Sequence, residues 1–87
     1  MDINTWNSLT NSEQKEIKQM GAAFTKTVLS SNFADGRDFM MNYEVRCEDD
    51  FYFIFEKSTK IKFGNFKSRS KKVMDALMTN AGQNYGK

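Results

Sequence analysis

Phe51-Tyr52-Phe53-Ile54-Phe55 is a run of five large apolar side chains, four of them aromatic, in a chain of 87 residues without proline. Successive residues of a strand point to opposite faces, so such a run is stable only where both faces are covered. It reads as the central strand of a sheet, and the rest of the fold is arranged around it. A chain of this length buries roughly 60% of its unfolded surface, which supports one domain and one core. Hydrophobic residues are 39% of the chain, with eight Phe, three Tyr and one Trp. That is enough to build the core, and it argues against a disordered polymer.

Before this run, Phe39, Met41, Tyr43, Val45 and Cys47 alternate with Met40, Asn42, Glu44, Arg46 and Glu48. Period two with one apolar face is strand spacing, and it places Cys47 inward. Glu48-Asp49-Asp50 is the turn between the two strands. After the run, Ser58-Thr59 marks another turn, and Lys60-Ile61-Lys62-Phe63 alternates as a short edge strand whose lysines discourage edge pairing. The expectation is a three-stranded antiparallel meander over 38–63. Tyr52 and Ile54 would lie on the face away from the helices, either exposed there as a contact surface or covered by the N-terminal turn with its Trp6.

The flanks read as helix. Asp2 can cap a short turn carrying Ile3, Trp6 and Leu9, and Thr10-Asn11-Ser12-Glu13 matches the capping box. Ile17, Met20, Gly21, Phe24, Thr27, Val28 and Ser31 follow at helical spacing, with Glu13 and Glu16 early and Lys26 late, as the helix dipole favours. Residues 1–31 are therefore expected to be helical, ending before the Asp35-Gly36 turn signal. A last helix is expected over 66–82, burying Phe66, Val73, Met74, Leu77, Met78 and Ala81 and stopping at Gly82. Residues 83–87 would fray, unless Tyr85 packs back. The sum is one α+β domain over 1–87: N-terminal helices, meander and C-terminal helix (α-β-β-β-α), with the helices on one sheet face.

Catalytic chemistry finds little to work with. The chain has no histidine, which removes the commonest general base and metal ligand. Cys47 is the sole cysteine and has no imidazole to activate it. No zinc spacing, Gly-rich phosphate loop or catalytic carboxylate pair is present, and the acids of 48–50 diverge around a tight turn instead of converging on a cation. The expectation is no enzyme, no cofactor and no metal. No signal peptide is recognisable, and no apolar run approaches the ~20 residues of a membrane span, so a cytoplasmic, reducing setting without membrane partners is expected. The Phe39–Cys47 edge carries little to block pairing with a second copy, which allows a homodimer.

The functional signal is charge. Lys57, Lys60, Lys62, Lys67, Arg69, Lys71 and Lys72 lie in one stretch free of acid, while Asp35 to Glu56 holds seven carboxylates against Arg37 and Arg46. The net charge of +2 hides this division. A polarised surface on a small protein suits a charged partner. Phe63, Gly64 and Phe66 interleave with the lysines, and stacking of bases on aromatic rings is a usual companion of such charge. Lys71 and Lys72 fall in the first turn of the last helix, where positive charge opposes the dipole unless an anion binds. Ser68, Ser70 and free N–H groups would supply donors.

Two functions from different classes follow. One is a non-catalytic module that docks residues 57–72 on a polyanion, nucleic acid first and an acidic protein surface second, with Phe66 and Tyr52 as aromatic contacts. The other is a phage-type or mobile-element-type inhibitor, anti-CRISPR-like, that binds a host protein or complex and blocks it. The order of elements from about Asn11 to Ala81, with Ser70-Lys71-Lys72 opening the last helix, resembles the double-stranded-RNA-binding domain. That resemblance implies phosphate contacts for Lys71 and Lys72. The chain departs from the family at Val73-Met74-Asp75, where a small residue and another lysine are usual. It departs again at Glu48-Asp49-Asp50, where the family carries Gly-Pro and a histidine, and it is not assigned to that family.

Overall fold

The Thr10 hydroxyl accepts the Glu13 N–H at 3.1 Å, and the Glu13 carboxylate accepts the Thr10 N–H at 2.8 Å, so both halves of the capping box form. They start the longest helix of the chain. The computed structural model describes residues 1–85 and contains α1 (Ile3–Asn7), α2 (Asn11–Leu29), α3 (Gly36–Asn42), β1 (Tyr43–Glu48), β2 (Phe51–Glu56) and α4 (Lys71–Asn84). The class is α+β, with one antiparallel sheet of two strands in place of the expected three. No helix among the described residues is long and apolar enough to cross a membrane.

The hairpin has a two-residue turn. Asp49 (φ 53°) and Asp50 (φ 69°) both take left-handed backbone, the pattern of the hairpin turn that matches strand twist. Glu48 pairs with Phe51, Arg46 with Phe53, Val45 with Ile54 and Glu44 with Phe55. Odd positions of β1 therefore share a face with even positions of β2. Val45, Tyr52 and Ile54 face the helices, and Ile54 is fully buried. Phe51, Phe53 and Phe55 take the outer face, the reverse of the expected assignment. Trp6 packs half-buried against the core with Lys18 over its ring at 5.7 Å.

The first half of the expected strand 38–47 is helix α3. Asp35 caps it by accepting the Asp38 N–H at 2.9 Å, and Asp38 in turn accepts the Ala34 N–H and the Asn42 amide. Phe39 and Tyr43 lie four apart, a spacing that serves a helix as well as the strand alternation does. Phe39 is fully buried, while Met41 is 64% exposed. At the far end β1 runs past the core, and Cys47, expected inward, is exposed.

The expected third strand fails for a packing reason. Lys60 (φ 62°) and Gly64 (φ 68°) adopt left-handed backbone that interrupts it. The segment touches β2 at separate places: Phe63 N–H donates to Ile54 O at 2.7 Å, Glu56 N–H to Ile61 O at 2.9 Å, and Tyr52 N–H to Ser68 O at 2.7 Å. Between them Phe63 and Phe66 turn inward onto Phe24, with ring centroids 5.8 and 5.0 Å away. Aromatic burial outweighs the few ladder bonds a short edge strand would add.

The last helix starts at Lys71, later than expected, and passes through Gly82 instead of stopping there. Gly82 lies against Gly36: a Cβ built on Gly36 would sit 1.8 Å from the Gly82 carbonyl oxygen. Of the tail expected to fray, Gln83 and Asn84 are helical, and the Tyr85 hydroxyl donates to the Ser31 and Phe33 carbonyls at 3.1 and 2.9 Å. Residues 86 and 87 lie outside the described residues. Phe24, Val28, Phe39, Ile54, Val73 and Met74 form the centre of the core.

Candidate nucleic-acid interface

The opening of α4 is occupied from within the chain. Ser68 is 2% exposed; its hydroxyl donates to Glu16 Oε1 at 2.8 Å and accepts the Ser70 N–H at 3.0 Å. The Ser70 hydroxyl donates to Glu13 Oε2 and accepts the Val73 N–H, so it is also the cap of the helix. Glu13, from the first turn of α2, is thus the anion that the two lysines at this helix start call for. The Ser70 hydroxyl, followed by the Thr10 backbone N–H, holds the Glu13 carboxyl below its ordinary range, and Lys72 adds to the effect. Lys71 bonds Asp75 at 2.8 Å, and that bond raises its pKa. Lys72 lines a cleft between α1 and α4 together with Asp2 and Asp75. The Ser68-to-Lys72 segment therefore ties α4 to α2.

The remaining cations gather elsewhere. On the outer face of the hairpin, Lys62 Nζ lies 4.0 Å from the Phe53 ring centroid and 6.0 Å from that of Phe55. Lys67 Nζ and the Arg69 guanidinium lie 4.6 and 5.2 Å from the Phe51 centroid. Arg46 joins this face through its pairing with Phe53. Two acids share it: Glu48 pairs with Lys62 at 2.8 Å and Glu44 with Lys60 at 3.9 Å. Lys67 and Arg69 form no salt bridge among the described residues. Phe55 is buried, while Phe51 and Phe53 are half-buried beneath these side chains. The stems of the cations cover the rings while their charges stay in water. Lys57 is exposed just beyond β2, its N–H bonded to Asn42 O at 2.9 Å.

Of the aromatic contacts expected from sequence, Tyr52 and Phe66 both pack toward the core. Phe51 and Phe53 take that position instead. The Asp49-Asp50 pair was the available signal: a two-residue turn forces opposite parity on the two strands, and a three-residue turn does not. The chain matches no protein-family model, no curated protein and no solved structure.

Proposed function

We propose that this chain is a small non-catalytic binding module that docks the outer face of its hairpin on nucleic acid. The observation that supports it is the row Phe51-Phe53-Phe55 lying under Lys62, Lys67 and Arg69. An exposed cation over a ring contributes about 0.5–1 kcal/mol, whereas stacking a base on such a ring contributes about 1–3 kcal/mol. A base can therefore displace the cation, which then meets the phosphate of the incoming strand. The exposed Lys62–Glu48 pair yields for the same reason, since such pairs contribute about 0–1 kcal/mol. Lys57, Lys60, Lys71 and Lys72 add longer-range attraction around this centre.

Fluorescence anisotropy with labelled oligonucleotides across a salt series is the test. Affinity should fall steeply with salt, with a logarithmic slope of about −0.7 per phosphate neutralised on a single strand. Lys67→Glu with Arg69→Glu should weaken binding at least tenfold and flatten the slope, with the circular dichroism spectrum unchanged. Equal affinity in the double variant would remove this reading.

A second reading is favoured by different residues. Met41 and Ile61 are 64% and 66% exposed, and the hairpin tip Asp49-Asp50 is exposed and acidic. Exposed apolar side chains near the base of the hairpin, with an acidic tip at its far end, suit a protein surface, which is what an anti-CRISPR-like inhibitor of a host complex would need. Recovery of a stoichiometric protein from nuclease-treated host lysate would favour it over nucleic-acid docking.

A further inference from the structure

The outer edge of β1 is unpaired. Tyr52, Ile54 and Glu56 bond through their backbone groups to residues 60–68, on the far side of β2. Phe51, Phe53 and Phe55 therefore carry the bonds to β1, opposite Glu48, Arg46 and Glu44. Because bonding direction alternates along a strand, the N–H and C=O groups of Tyr43, Val45 and Cys47 point away from β2. The sheet has no third strand there, and no backbone hydrogen bond from elsewhere among the described residues reaches them.

We propose that a second copy of this chain pairs on that edge, β1 antiparallel to β1, with Val45 on the two-fold axis. The side chains decide the register. Paired residues must share a face, so the axis passes through a residue, and each choice sets different charges opposite one another. An axis at Arg46 or Glu44 places like charges face to face. An axis at Cys47 sets Arg46 against Glu48, but it drives left-handed Asp49 into the ladder. The axis at Val45 sets Glu44 against Arg46 of the partner subunit, and the reverse, so two opposite-charge pairs flank a Val45–Val45 contact. Tyr43 then meets Cys47 of the partner subunit, and every outward backbone group of Tyr43, Val45 and Cys47 finds a partner. The product is a four-stranded sheet in the order β2-β1-β1-β2, whose outer face carries an aromatic row on each outermost strand with the Glu44, Arg46 and Glu48 side chains of the two β1 strands between them. This inference stands apart from the nucleic-acid reading, since it rests on the open edge and the charges beside it.

Sedimentation equilibrium tests it. The unmodified chain should sediment at twice its 10.1 kDa mass. Arg46→Glu should raise the dimer dissociation constant at least tenfold by setting glutamates face to face, and Glu44→Arg added to it should restore dimerisation. Register is read separately in a Cys47→Ser background, where a Glu44→Cys chain mixed with an Arg46→Cys chain should oxidise to a covalent heterodimer. Neither chain should cross-link with itself. A single-chain mass at all concentrations, a charge-swapped variant no tighter than Arg46→Glu, or self-cross-linking equal to the mixed product would overturn the proposal.

Discussion

Gly36 sets how closely α3 and α4 approach, and its substitution separates two kinds of crowding. A methyl group there would strike the backbone of Gly82, which cannot move without shifting a helix. Gly36→Ala should destabilise the fold by about 3 kcal/mol, at the upper end of overpacking costs. At Gly82 the added methyl meets the side chain of Met40, which is flexible, so Gly82→Ala should cost less. Urea melts of the two variants compare them directly. Glu13 makes a pH prediction. Its folded pKa lies below the ordinary 4.5, so it contributes stability above the unfolded value and loses it as pH falls through the folded value. Glu13→Gln should melt lower than the unmodified chain at neutral pH. The gap should close on acidification, as melting temperature against pH will show. The capping box was legible in four consecutive residues, but the bond between Glu13 and Ser70, 57 residues apart, was not.

Each element was legible where its local signals agreed, and misread where two periods fitted the same residues. Helix α2 has a cap, a stripe and a favourable charge order, and it formed as expected. Phe39 and Tyr43 satisfy both alternation and helical spacing, and the Asp35 cap decided for helix. Lys60–Phe63 alternates correctly for a strand, yet Phe63 and Phe66 are needed around Phe24, so the ladder breaks at Gly64. The hairpin turn holds two aspartates in left-handed backbone, a conformation that disfavours side chains by about 1–2 kcal/mol per residue. Asp50→Gly should therefore raise stability by about 1 kcal/mol in a chemical melt. Gly64→Ala should do the opposite, because its φ is positive and a Cβ would lie 2.9 Å from the Phe66 ring.

Across the whole molecule, the basic stretch that is continuous in sequence is divided in space. Lys71 pairs with Asp75 within α4 and Lys72 acts on Glu13 at the α4–α2 junction, while Lys62, Lys67 and Arg69 crown the aromatic row. If nucleic acid docks on that row, Lys71→Ala with Lys72→Ala should weaken binding by less than the Lys67→Glu, Arg69→Glu pair, and anisotropy titrations at matched salt compare them. Residue composition and local spacing were sufficient to establish the α+β class, its principal helix, its hairpin and the separation of acids from bases along the chain. Those features depend on neighbours within a few positions, where backbone geometry relates residues in fixed ways. Which side of β2 meets water, and which cations remain available to a partner, were decided only in the folded molecule. The first turns on a one-residue difference in loop length, and the second on which carboxylates the fold sets beside each cation: Glu44 and Glu48 of β1, Asp75 of α4 and Glu13 of α2.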